Sequence, residues 1–85
     1  MVEVIKFGAS WCGPCKTLTP RLENLSKDYD KIKFVKIDVE ENQDLAIELG
    51  IRSVPTVIIY DGENAVDRTA GNQPLETYTK VLNTL

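Results

Sequence analysis

The 85-residue chain has no histidine and only two cysteines, Cys12 and Cys15. A closed structural zinc site takes four ligands, mainly Cys and His, so none is expected within one chain. No apolar run approaches the roughly 18 residues that a membrane-spanning helix needs. Met1 to Phe7 lacks both a basic n-region and a longer apolar h-region, so no secretory signal is expected and the cytoplasm is the expected compartment. Ten Lys and Arg are interleaved among thirteen Asp and Glu, for a net charge of −3. That leaves no basic stripe to neutralise phosphates and argues against nucleic acid as a partner. A chain of this length buries only a little over ~60% of its unfolded surface and has no material for a second core. Residues 1–85 are therefore expected to form one domain, with no repeat, low-complexity tract or linker, and a monomer is expected.

What is present reads as alternating strands and helices. "VEVIKF" (2–7), bounded by Gly8, is β-branched and apolar. From Pro14 to about Asp28, Leu18, Leu22 and Leu25 recur at spacings of four and three, the stripe of an amphipathic helix, with a kink expected at Pro20. "IKFVKIDV" (32–39) reads as a strand, and "NQDLAIEL" (42–49) as a short helix stopped by Gly50. "PTVIIY" (55–60) suits a central strand, and Asp61-Gly62 is a turn into a weaker strand over about 64–70. Pro74, with Asn72 as a candidate cap, opens a last helix with Leu75, Tyr78, Val81 and Leu82 on one face. The order βαβαββα predicts an α/β fold: a four-stranded mixed sheet with helices on both faces.

The chemistry is concentrated in "FGASWCGPCKTL" (7–18). A Cys12–Cys15 bridge would enclose only Gly13 and Pro14, and loop closure by so short a link stabilises little. A reactive pair accounts better for the neighbours. Pro14 suits the first turn of a helix, whose N-terminus carries free N–H groups and partial positive charge that stabilise a thiolate. Cys12 is then the attacking sulfur. Cys15, one turn further in and less exposed, can cleave the mixed disulfide that Cys12 forms and release the product. Gly13 leaves the approach to Cys12 uncrowded, and Trp11 is either an apolar ledge for a docking chain or a packing aromatic.

"WCGPCK" followed by Pro20, then "GIRSVPT" (50–56), then Gly71, resembles the thioredoxin family along nearly the whole chain. The resemblance implies a thioredoxin-like fold and a cytosolic protein-disulfide reductase, with Cys12 as nucleophile and Cys15 as resolving thiol. It binds no cofactor beyond the redox-active Cys12–Cys15 pair. Its implied partners are disulfide-containing client proteins and a thioredoxin reductase that usually draws on NADPH. It also implies a cis Val54–Pro55 peptide facing the cysteines, and a substrate groove formed by Trp11, Gly13, Pro14, Ser53, Val54 and Gly71. By itself the residue pattern gives only an X-Pro bond at a strand start and a glycine that can equally end a strand.

Departures from the family pattern are informative. The resemblance begins at the family's central strand, as in an N-terminally truncated form, which leaves "IKFVKIDV" as an edge that Lys33 and Lys36 can protect. Gly8 replaces a usual tryptophan, an expected loss of packing behind the active site. Lys6 stands where the family places a buried aspartate. Its amine is expected to snorkel to solvent or to an acid. If it stays within ~8 Å of the sulfurs, it favours the thiolate by about 2 kcal/mol at an effective dielectric near 20. Lys36 matches a lysine near that aspartate, so one of these two candidate pKa-tuning lysines is expected to point away. Two other readings compete. Glutaredoxins share the short start, but Cys-Gly-Pro-Cys and Ala70-Gly71-Asn72 fit glutathione recognition poorly. A non-catalytic subunit that holds a partner in the groove would leave exposed thiols open to oxidation for no gain.

Overall fold

Side chains alternate across a strand, so Val2, Val4, Lys6 and Gly8 share one face of the first strand and Glu3, Ile5 and Phe7 the other. In the computed structural model, which describes residues 1–85, that strand is β1 (Val2–Gly8). It is followed by α1 (Gly13–Ser26), β2 (Ile32–Asp38), α2 (Gln43–Glu48), β3 (Thr56–Asp61), β4 (Asn64–Ala70) and α3 (Leu75–Leu82). The sheet order is β2-β1-β3-β4. β1 runs parallel to β2 and antiparallel to β3, and β3 and β4 form an antiparallel hairpin. This is the expected four-stranded mixed sheet with three helices. The apolar β1 and β3 are interior, while β2, with Lys33 and Lys36 exposed, is an edge.

The leucine stripe of α1 packs on the face of β1 that carries Val4. Leu18, Leu22 and Leu25 join Val4, Val57, Ile59, Tyr78 and Leu82 in one buried cluster. Each such side chain contributes about 1.5–3 kcal/mol by leaving water. On the opposite face Phe7 and Ile58 are buried together with Ala46 of α2. Arg68 on β4 donates to the carbonyls of Leu49 and Gly50 at 2.6 and 2.7 Å, which satisfies acceptors left free at the end of α2.

Several boundaries differ from expectation for local reasons. α1 starts at Gly13 and ends at Ser26, and it continues through Pro20, which simply leaves the Lys16 carbonyl without its i+4 donor. α3 starts at Leu75 with Pro74 in the cap position and no side-chain cap bond. Asn72 does not cap it, because its Oδ1 accepts from Arg21 of α1 at 2.7 Å. The β3–β4 turn needs Gly62, whose φ of +65° lies in the left-handed region that disfavours a Cβ.

Candidate active site

The two cysteines lie where a loop from β1 enters α1. Cys12 is the N-cap, with extended φ −84° and ψ 107°, and Pro14 lies in the first helical turn. The Cys15 N–H donates to Cys12 Sγ at 3.1 Å. A helix N-terminus has amides with no partner inside the helix, and here one of them is spent on sulfur. The sulfurs are joined in a disulfide with Cα atoms 5.3 Å apart. Exposure does not separate the pair as expected: both residues are 3% exposed. The distinction between them in the oxidised form rests on the position of Cys12 at the cap, not on burial.

Elsewhere the structure joins two parts distant in sequence, the segment before β3 and the end of β4. Trp11 is 69% exposed, which sets aside its reading as a packing aromatic. Gly13 and Pro14 are exposed, as is Ser53, and Val54 is half-buried. The Val54–Pro55 peptide is cis. The Gly71 N–H donates to the Pro55 carbonyl at 2.8 Å, so the end of β4 is tied to the start of β3. Thr56 Oγ1 donates to the Ser53 carbonyl at 2.7 Å and holds the loop before Pro55. No group of three or more His, Cys, Asp or Glu is placed to share a metal ion.

Behind the pair, the lysine of β1 is largely buried. Lys6 is 7% exposed. Its amine donates to Thr19 Oγ1 on α1, and that hydroxyl donates to the Cys15 carbonyl at 2.9 Å. A Cβ built on Gly8 would lie 3.3 Å from Cys15 Sγ and 3.4 Å from Lys6 Nζ, so amine and sulfur are at most about 7 Å apart. The expected escape of Lys6 is thus overturned, for two reasons. Its β1 row faces α1, and Glu23, the acid nearby, is taken by Lys36 at 3.1 Å. Lys36, the register partner of Lys6 on β2, is exposed and directs its amine to Glu23. Burial pushes the Lys6 amine below its ordinary pKa, the Lys36 charge adds to that, and Glu23 opposes it.

The family model described as "Thioredoxin" matches residues 2–84. The thioredoxin of Staphylococcus haemolyticus is 42% identical over 83 residues, spanning 96% of this chain and 80% of that protein. The chain belongs to the thioredoxin family. Among solved structures, oxidised mitochondrial thioredoxin 3 of Saccharomyces cerevisiae superposes with a TM-score of 0.89 at 34% identity, over 99% of this chain and 78% of that one. Thioredoxin NaTrxh of Nicotiana alata gives 0.88 at 38% identity, over 96% and 71%. With its Cys12–Cys15 disulfide, this family member is a thiol–disulfide oxidoreductase, and its partners as a class are a reductase and disulfide-bearing clients. No helix is long and apolar enough to cross a membrane.

The space beside Gly8, expected to be poorly packed, is bordered by the Lys6 amine and the Cys15 sulfur. Thr19, which sequence reasoning passed over, links the Lys6 amine to the Cys15 backbone carbonyl. Its only signal in the sequence is its place one helical turn after Cys15, where a hydroxyl reaches back to the i−4 carbonyl.

Proposed function

We propose that the chain, acting as a single monomeric unit in the cytoplasm, reduces disulfides in client proteins. The observation that carries this reading is the capping sulfur: Cys12 Sγ accepts an amide at the start of a 14-residue helix. In the reduced protein the same amide and the helix dipole favour a Cys12 thiolate. That thiolate attacks a client disulfide sulfur and forms a mixed disulfide while the first client sulfur leaves with the electron pair. Cys15 then attacks Cys12 Sγ, closes the intramolecular disulfide and frees the second client thiol. Cys12 is the nucleophile, Cys15 the resolving thiol, and Pro55 faces them from the start of β3.

The exposed Trp11, the uncrowded Gly13 and Pro14, and the joined Ser53–Val54 and Gly71 segments form the groove for an extended client segment. The Val54 backbone supplies its hydrogen bonds. Lys6 and, through its charge on Lys6, Lys36 tune the acidity of the pair. The oxidised protein is recharged by a thioredoxin reductase drawing on NADPH. The test is insulin reduction with NADPH and a thioredoxin reductase, set against hydroxyethyl-disulfide reduction with glutathione. Rapid insulin turnover with little glutathione activity is the expected result, and the reverse would assign a glutaredoxin-like role. The Cys15→Ser variant should accumulate clients covalently bound at Cys12, whereas Cys12→Ser should bind none. A binding subunit would hold its partner with both cysteines replaced by serine.

A further inference from the structure

Lys6 is a buried cation in a row that is otherwise apolar or glycine, and its neighbours explain neither its place nor its cost. The acid whose charge acts on it is engaged elsewhere: Glu23 pairs with Lys36 at 3.1 Å. Its hydrogen-bond partner is the neutral Thr19 hydroxyl. Gly8 holds open the space between the amine and Cys15, since a Cβ there would press on Cys15 Sγ at 3.3 Å and Lys6 Nζ at 3.4 Å. An open cleft of about 340 Å³ is lined by residues including Lys6, Gly8, Lys36, Asp38 and Glu41. An isolated charge is costly to bury unless an opposite charge forms beside it. In the oxidised protein no such charge exists on the cysteines, and in the reduced protein one can.

We propose that the Lys6 ammonium is the counter-ion of the Cys15 sulfur, stabilising it as a thiolate whenever the Cys12–Cys15 bond is open. The proposal rests on the exchange reaction above and assigns which sulfur the lysine serves. During resolution the Cys15 thiolate attacks Cys12 Sγ, the new S–S bond forms, and the client sulfur departs with the bonding pair. The proton that Cys15 gave up has left through the cleft, and Lys6 keeps its own. During recharging a thiolate of a protein dithiol donor attacks Cys12 Sγ, the Cys12–Cys15 bond breaks, and Cys15 leaves as an anion beside the ammonium. The leaving and resolving roles of Cys15 are thereby eased by one fixed charge. Lys36 on β2, Glu23 on α1 and Asp38 and Glu41 along the cleft are the other charges facing it, while β3 presents only Val57 as the register partner of Lys6.

The experiment isolates each sulfur. Thiolate absorbance is titrated in Cys12→Ser and in Cys15→Ser, each with and without Lys6→Met, a substitution that keeps the length of the side chain. Loss of the ammonium should raise the Cys15 pKa by about one unit or more, and the Cys12 pKa by less. A Cys15 shift below a few tenths of a unit, or a larger shift at Cys12 than at Cys15, would overturn the assignment. The single-turnover closing step in the otherwise native chain supplies the second readout. Lys6→Met should move its pH profile to higher pH by the same amount while the profile for formation of the mixed disulfide moves by less, and an unmoved closing profile counts against the proposal even if the variant is less stable. Failure of the underlying reductase reading shows separately, as absence of insulin turnover by the wild-type protein.

Discussion

The substitution Lys6→Met should make the redox potential of the protein more negative. The ammonium and Cys15 Sγ are at most about 7 Å apart. At that distance and an effective dielectric near 20, Coulomb's law gives about 2 kcal/mol between the ammonium and a thiolate. The oxidised protein has no charge on sulfur, so this attraction stabilises only the reduced form and raises the potential. Since ~30 mV in a two-electron couple corresponds to about 1.4 kcal/mol, removal should lower the potential by about 50 mV without screening, and by about 20 mV once salt and solvent in the open cleft screen the charge. Equilibration against dithiothreitol buffers of defined ratio, read by alkylation and mass shift, measures the change. The field argument adds a pH signature, because the difference between wild type and variant should shrink toward acid, where both thiols are protonated and neutral. A shift below about 10 mV, a shift toward positive potential, or one that persists unchanged in acid would refute the reasoning, the last by pointing to packing instead of charge.

Other expectations concern stability. Leu18 is fully buried in the α1 stripe, so Leu18→Ala should cost about 3–4 kcal/mol in denaturant unfolding of the oxidised protein, and a loss under 1 kcal/mol would mean that the site collapses around the smaller side chain. Gly62→Ala places a Cβ at φ +65° and should cost roughly 1–2 kcal/mol while leaving the redox potential unchanged, as the turn lies away from the sulfurs. The two shifted groups act oppositely on alkaline stability. Lys6 is lowered from 10.5, so its contribution is present above pH 10.5 and is lost as pH falls through the folded-state value. Tyr78 is raised from 10.0 chiefly by burial, so its contribution is present below pH 10.0 and is lost as pH rises through the folded-state value. Unfolding free energy followed from neutral to alkaline pH should therefore lose its rising component in Lys6→Met and its falling component in Tyr78→Phe, and profiles superposing on wild type would contradict both assignments.

The fold was largely legible in one dimension because its signals are local. The β-branched, apolar runs of β1 and β3, the four-and-three spacing of Leu18, Leu22 and Leu25, and the Asp61-Gly62 turn each need only a few neighbouring residues to be read. The element boundaries were less so. Asn72 has the chemistry of a cap, and only the approach of Arg21, fifty-one positions earlier, takes its side-chain oxygen away from that role. Relative exposure of the two cysteines was also illegible, because burial depends on what folds over a residue and not on its order along the chain.

The reacting pair and its direction of use follow from covalent proximity: two sulfurs with only two residues between them at a helix start reach each other in any packing, and the helix dipole acts on whichever sulfur caps it. The fate of Lys6 could not follow in that way. Whether its amine met water, an acid or a sulfur hinged on α1 crossing its face of β1, on Lys36 having drawn Glu23 aside, and on the missing side chain at Gly8, three contacts that come into being only when separate elements close on one another.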